Sequence, residues 1–136
     1  MRPAHATTVE LTVPFHDCDP LFVVWHGRYF QYLEKARTAL LKGYDLDIPD
    51  IRQMGYRMFV TDVRCRYTFP LSYGEVVEVT AWFSQTTPLI RVAYDVYNVT
   101  KQRRAARAYT VLATTDANGK LLERTPDDVI ARLPED

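Results

Sequence analysis

The chain has no excess of charge of either sign: 17 Lys and Arg are balanced by 17 Asp and Glu. That removes the electrostatic footprint of a nucleic-acid binder, which needs a basic surplus to displace counterions from phosphates. Cysteine is scarce too. Cys18 and Cys65 stand far apart, in no zinc or redox spacing, and the expected compartment is the reducing cytoplasm, where such thiols stay unpaired. Long apolar runs are missing as well. Met1 to Val13 has no apolar h-region, and no stretch approaches the ~20 residues of a membrane span.

What remains is a chain of 136 residues with 47% hydrophobic content, which suits one domain, over 1–136, with one core. A chain of this size can build one core but not a deep two-domain cleft, so a sizeable ligand would call for a second subunit to wall the site. The basic residues do gather locally, at Arg64 and Arg66 and from Lys101 to Arg107. On a neutral chain such patches fit an anionic small molecule better than a long polyanion.

Val9, Leu11, Val13 and Phe15 alternate with Glu10, Thr12 and Pro14, the period of a half-buried strand over 8–15. Pro14 cannot donate to a ladder and places this strand at an edge. His16 to Phe22 reads as a loop, because Pro20 holds Asp19 out of the helical region. From about Trp25 to Lys42 the period becomes helical: Tyr29, Tyr32, Leu33, Ala36, Leu40 and Leu41 share one face. Glu34 and Arg37 are spaced to pair, and Gly43 is expected to end the helix as a left-handed glycine. A short helix over 48–54 follows, then strands near 57–69, 75–85, 89–99 and 104–115 as a meander, a turn at Asp116 to Gly119, and a closing helix over 126–133. One apolar-faced helix and one antiparallel sheet make an α+β two-layer domain, whose open edges argue for a dimer.

The chemistry is expected where the loop meets the helix. Asp19 lies about six residues before the helix start, too far for a simple cap, and the first helical turn leaves backbone N–H groups unpaired. Donors there would stabilise an oxyanion, and a carboxylate beside them could attack an acyl carbon or activate water. No metal is required for such a reaction, and His16, Cys18, Asp19 and His26 match no common zinc pattern. Asp17 reads as a loop-shaping residue, His16 as structural, His5 as an exposed tail residue, and Cys18 as a thiol with no nearby base or cation to activate it.

Phe15, Asp17-Cys18-Asp19, Val23-Val24, Trp25, His26, Tyr29 and Glu34-Lys35-Ala36-Arg37 together resemble the motif of the 4-hydroxybenzoyl-CoA thioesterase family, in its acyl-CoA branch akin to the Tol-Pal-associated enzymes. The likeness is specific over 13–40. It implies a hotdog fold, a five-stranded antiparallel sheet wrapped around one long helix, acting as a homodimer or dimer of dimers (a homotetramer). It also implies that Asp19 is the catalytic nucleophile or general base and that the His26 amide polarises the thioester carbonyl. The His26 side chain would position water or the acyl group. Tyr29 and Phe22 are expected to line the acyl pocket, and Thr61 to face the partner's site. No cofactor is implied beyond the coenzyme A of the substrate.

Two departures from that family are visible. Its turn after the catalytic Asp carries a glycine, where this chain has Pro20-Leu21-Phe22, and a bulky residue resists positive φ. Its Arg-Arg-Lys cluster between the third and fourth strands is replaced by Gln85-Thr86-Thr87-Pro88, leaving Arg91, Lys101, Arg103 and Arg104 as cations for the carrier's phosphates. The expected function is therefore acyl-CoA hydrolysis. Its alternatives are an acyl-carrier-protein hydrolase or dehydratase in lipid or polyketide synthesis, and a non-catalytic acyl-thioester binding protein.

Overall fold

The computed structural model describes residues 3–134. Its elements are β1 (Thr7–Thr12), α1 (Tyr29–Lys42), α2 (Ile48–Gln53), β2 (Tyr56–Tyr67), β3 (Val76–Gln85), β4 (Ile90–Asn98), β5 (Arg103–Asp116) and α3 (Asp127–Ile130). The strands form one antiparallel sheet in the order β1-β3-β4-β5-β2. Tyr29, Tyr32, Leu33, Ala36 and Leu40 of α1 are buried with Val77, Val79, Val92, Tyr94 and Val96 of the sheet. The helix face expected from the 3.6-residue period is thus the face the sheet covers. This is the α+β hotdog arrangement.

The sheet is not the simple meander expected. β3, β4 and β5 are joined in sequence, but β2 pairs with β5 and β1 takes its place beside β3. Each strand's period fixes which face it buries, not which neighbour it takes, so the crossover was invisible locally. As a result β2 is the open edge at one end of the sheet. It is twelve residues long, with Phe59, Val63 and Tyr67 exposed along it and a register shift between Val60 and Asp62 that leaves Thr61 in a bulge.

Three smaller expectations are corrected. Gly43 ends α1 but keeps a helical φ of −63°; the left-handed residue is Asp45, at φ 58°. The Leu46 N–H reaches back to the Leu41 carbonyl at 3.0 Å, closing the end in the manner of a Schellman turn with an Asp in the left-handed seat. Arg37 donates to the Tyr94 hydroxyl at 3.3 Å across the layer rather than pairing with Glu34. His5 is no loose tail residue, since its Nε2 accepts the Phe83 N–H at 3.0 Å and its ring stacks on Phe83.

Candidate active site

The loop between β1 and α1 is clasped at its base and tight at its tip. Cys18 bridges to Val24, and the Trp25 N–H donates to the Asp17 carbonyl at 3.1 Å. The Asp17 carboxylate is buried and accepts the Tyr32 hydroxyl at 2.7 Å, with Arg28 Nε 3.7 Å away and His16 Nε2 at 3.4 Å. Burial first, and then this bond to Asp17, push the Tyr32 phenol well above its ordinary range. Asp17 therefore ties the loop to the helix. It is a structural group, as its place in the sequence suggested.

Asp19 sits higher in the loop. Its N–H donates to the Val23 carbonyl at 2.9 Å, and its Oδ1 accepts the amides of Leu21 at 2.8 Å and Val23 at 3.4 Å. Those bonds fix the carboxylate, while Oδ2 is left outside the loop's hydrogen bonding. Asp19 is half-buried in the wall of a cavity of about 370 Å³, shared with Val23, Trp25, His26, Tyr29, Tyr67 and Phe69.

A 3-10 turn over His26–Arg28 leads into α1. Among the described residues, the amides of His26 and Gly27 find no backbone acceptor, as the opening of a helix demands. The His26 carbonyl accepts the Tyr67 hydroxyl at 3.1 Å, so the far end of β2 is tied to the start of the helix. Gly27 lies close under the Trp25 ring, which a Cβ on it would displace. Tyr29 is buried behind this turn, its ring edge-on to Tyr67 with centroids 4.7 Å apart, and burial raises its phenol to about 12.

Asp19, His26 and Tyr29 thus meet at one cavity. Phe22 and Thr61 do not line it. Phe22 adopts φ 64°, the conformation a bulky residue was expected to refuse, and points its ring outward against Phe15. The hydrogen bonds of the loop hold it there, from the Phe22 N–H to Asp19 and from the Tyr73 N–H to the Phe22 carbonyl. Left-handed backbone costs a non-glycine residue about 1 kcal/mol. Phe22→Gly is therefore expected to raise stability by about 1 kcal/mol, seen as a higher urea midpoint; a lower midpoint would show that the ring's packing outweighs the strain. Thr61 lies at the β2 bulge, its hydroxyl donating to the Val111 carbonyl at 3.3 Å.

Tyr67 was missed by sequence reasoning, although it lines the cavity and holds the His26 carbonyl. Nothing in its own segment marks it, because its partner lies in a different element. Cys18 is not activated: burial first, and then the charges of Asp17 and Asp19, push its thiol up. Cys65 is likewise raised by burial, and both cysteines are free thiols. A second cavity, of about 450 Å³, lies between α1, α2 and β2, lined by Leu41, Leu46, Ile51, Met58, Phe59 and Val60 at the far end of β2 from Tyr67.

The sequence profile of the thioesterase-like superfamily matches residues 13–133, nearly the whole chain. The chain belongs to that superfamily; it is a hotdog-fold thioesterase. A Bacillus subtilis (strain 168) relative of this thioesterase, YneP, named as a candidate acyl-CoA thioesterase, is 30% identical over 95 residues, which make up 69% of each chain. The DHNA-CoA thioesterase of Staphylococcus aureus superposes with a TM-score of 0.78 at 23% identity, covering 87% of this chain and 80% of the other. Slr0204 of Synechocystis, a 1,4-dihydroxy-2-naphthoyl-CoA thioesterase, gives 0.81 at 18% identity, over 94% and 95% of the two chains. At those identities the two structures speak for the fold alone. Among the described residues of the thioesterase, no helix is long and apolar enough to cross a membrane.

Proposed function

We propose that this thioesterase hydrolyses an acyl-CoA to the free acid and coenzyme A in the cytoplasm, with Asp19 driving attack on the thioester carbon. The observation that carries the reading is the meeting, at one cavity, of a fixed carboxylate and a helix opening whose His26 amide finds no backbone acceptor. With the thioester carbon between them, Asp19 Oδ2 either takes a proton from water as that water adds, or adds to the carbon itself. In both cases negative charge gathers on the carbonyl oxygen, and the helix-opening amides and dipole stabilise it. Collapse expels the thiolate, a good leaving group. In the second route water then cleaves the acyl-aspartyl anhydride. His26, exposed at the rim, orients the acyl group or the water.

The working unit is a homodimer, or a dimer of dimers, built on β2. A twelve-residue edge carrying exposed Val63 and Tyr67 is a template for pairing with a second copy. Since Tyr67 ends that strand inside the Asp19 cavity, a partner there would wall the site from outside. Thr61, exposed on the same edge, would then face the neighbouring copy.

The test is thiol release from short, long and aromatic acyl-CoAs and from acyl-carrier-protein thioesters, with mass measured by light scattering. Turnover of an acyl-CoA by a dimer or tetramer is expected. Turnover of carrier-protein thioesters alone would move the substrate to that carrier. Binding without any thiol release would leave a non-catalytic acyl-thioester protein.

A further inference from the structure

Arg103 opens β5 at the end of the sheet where the Asp19 cavity lies. Its guanidinium sits over the ring of Phe69, 4.4 Å from the centroid, and Phe69 is part of the cavity wall. Three other basic side chains of the region are engaged. Arg104 Nε is 2.7 Å from Asp95 Oδ1, Lys101 Nζ is 3.9 Å from Glu75 Oε2, and Arg28 Nε is 3.7 Å from Asp17 Oδ1. Arg103 takes part in none of these pairs and is exposed. A guanidinium held over an aromatic face spends none of its N–H donors on a hydrogen bond there, so they remain for an oxygen ligand. Two such donors side by side match the oxygens of a phosphate.

The wall and the cation are also mechanically one piece. The amides of Thr68 and Phe69 donate to the Ala105 carbonyl at 2.8 and 3.1 Å, and the Thr68 hydroxyl bonds to the Arg104 carbonyl at 3.2 Å. Asn98 Nδ2 reaches the Pro70 carbonyl at 3.4 Å. Segment 68–70, which forms the cavity wall beyond Tyr67, is thereby hung on the first residues of β5 and the last of β4. Asp19, Tyr67 and Phe69 line one cavity, and the Arg103 guanidinium lies over Phe69.

We infer that Arg103 binds the phosphate at the far end of the pantetheine arm whose thioester lies at Asp19. This rests on the hydrolytic reading above and adds where the carrier leaves the site. The phosphate could belong to a coenzyme A or to the prosthetic group of a carrier protein, and both bear it at the same place on the arm.

Calorimetry tests it without depending on turnover. Coenzyme A and pantetheine are titrated into the wild type, Arg103→Gln and Arg103→Lys. The wild type is expected to bind coenzyme A at least ~10-fold tighter than pantetheine, the scale of one charge-assisted contact. Arg103→Gln should erase most of that ratio and Arg103→Lys keep part of it. The preference should also fall as salt is raised. An equal loss for both ligands would mean that Arg103 merely props up Phe69, and would overturn the inference. So would an unchanged ratio, or a wild type that does not distinguish the two ligands. Thiol release by the wild type from an N-acetylcysteamine thioester, which has no phosphate, checks the hydrolytic reading separately. Raised KM in Arg103→Gln for acyl-CoA and carrier-protein thioesters alike supports contact with the phosphate the two share, whereas raised KM for acyl-CoA alone would move the contact to the nucleotide's other phosphates and overturn the assignment.

Discussion

Asp19→Asn is expected to lower the rate of thiol release by at least ~100-fold while leaving the fold and coenzyme A affinity in place, the scale on which a general base contributes. The substitution is conservative where the loop needs it to be. Its amide oxygen can still accept the Leu21 and Val23 amides that Oδ1 accepts now. What it replaces is Oδ2, the oxygen not used by the loop, with a group that can neither take a proton nor add to carbon. The measurement is kcat and KM on the best acyl-CoA, beside a thermal melt of both proteins. A drop confined to kcat at unchanged melting temperature is the expected pattern. A variant retaining a tenth or more of wild-type turnover would remove Asp19 from the chemistry. Label found in the Asp19 carboxyl after a single turnover in labelled water would identify the anhydride route, with water adding to the aspartyl carbonyl.

Asp17→Ala carries the second large effect, on stability. The buried Tyr32 hydroxyl would lose its acceptor at 2.7 Å, and Arg28 its nearby carboxylate. Stranding a buried hydroxyl costs about 1–3 kcal/mol, and Arg28, 38% exposed, adds little, so a loss of about 2 kcal/mol is expected. Tyr32→Phe in the Asp17→Ala background should return part of that loss, since the orphaned group goes with it. Urea unfolding of the two single variants and the double variant gives the coupling directly. Additive effects would mean that the two side chains do not act on each other, and that Asp17 holds the loop only through its backbone.

The helix and most of the strands were legible because each rests on a local period. Tyr29, Tyr32, Leu33, Ala36 and Leu40 point one way in any straight helix, and the chain had only one such stretch long enough. That Asp19 and His26 share a cavity wall was legible because only a short loop separates them. Tyr67 was not, because its bond to His26 spans 41 positions and depends on β2 lying at the end of the sheet. That place is set by which edges β1 and β5 leave open, a property of the whole sheet. Phe22 shows the opposite limit. The conformational rule against it was sound, and the turn's hydrogen bonds overrode it.

The loop's construction separates two jobs that usually interfere. Its stem, from Asp17 to the Cys18–Val24 bridge, is pinned to the helix, and Asp19 takes its geometry from main-chain groups. The tip, Pro20 to Phe22, contributes amides and a carbonyl to the loop's hydrogen bonds and nothing to the cavity wall. Leu21, 79% exposed, can therefore carry a fluorophore or a short inserted peptide beside the mouth without moving the carboxylate. A reporter placed there would watch ligand arrival from the doorstep.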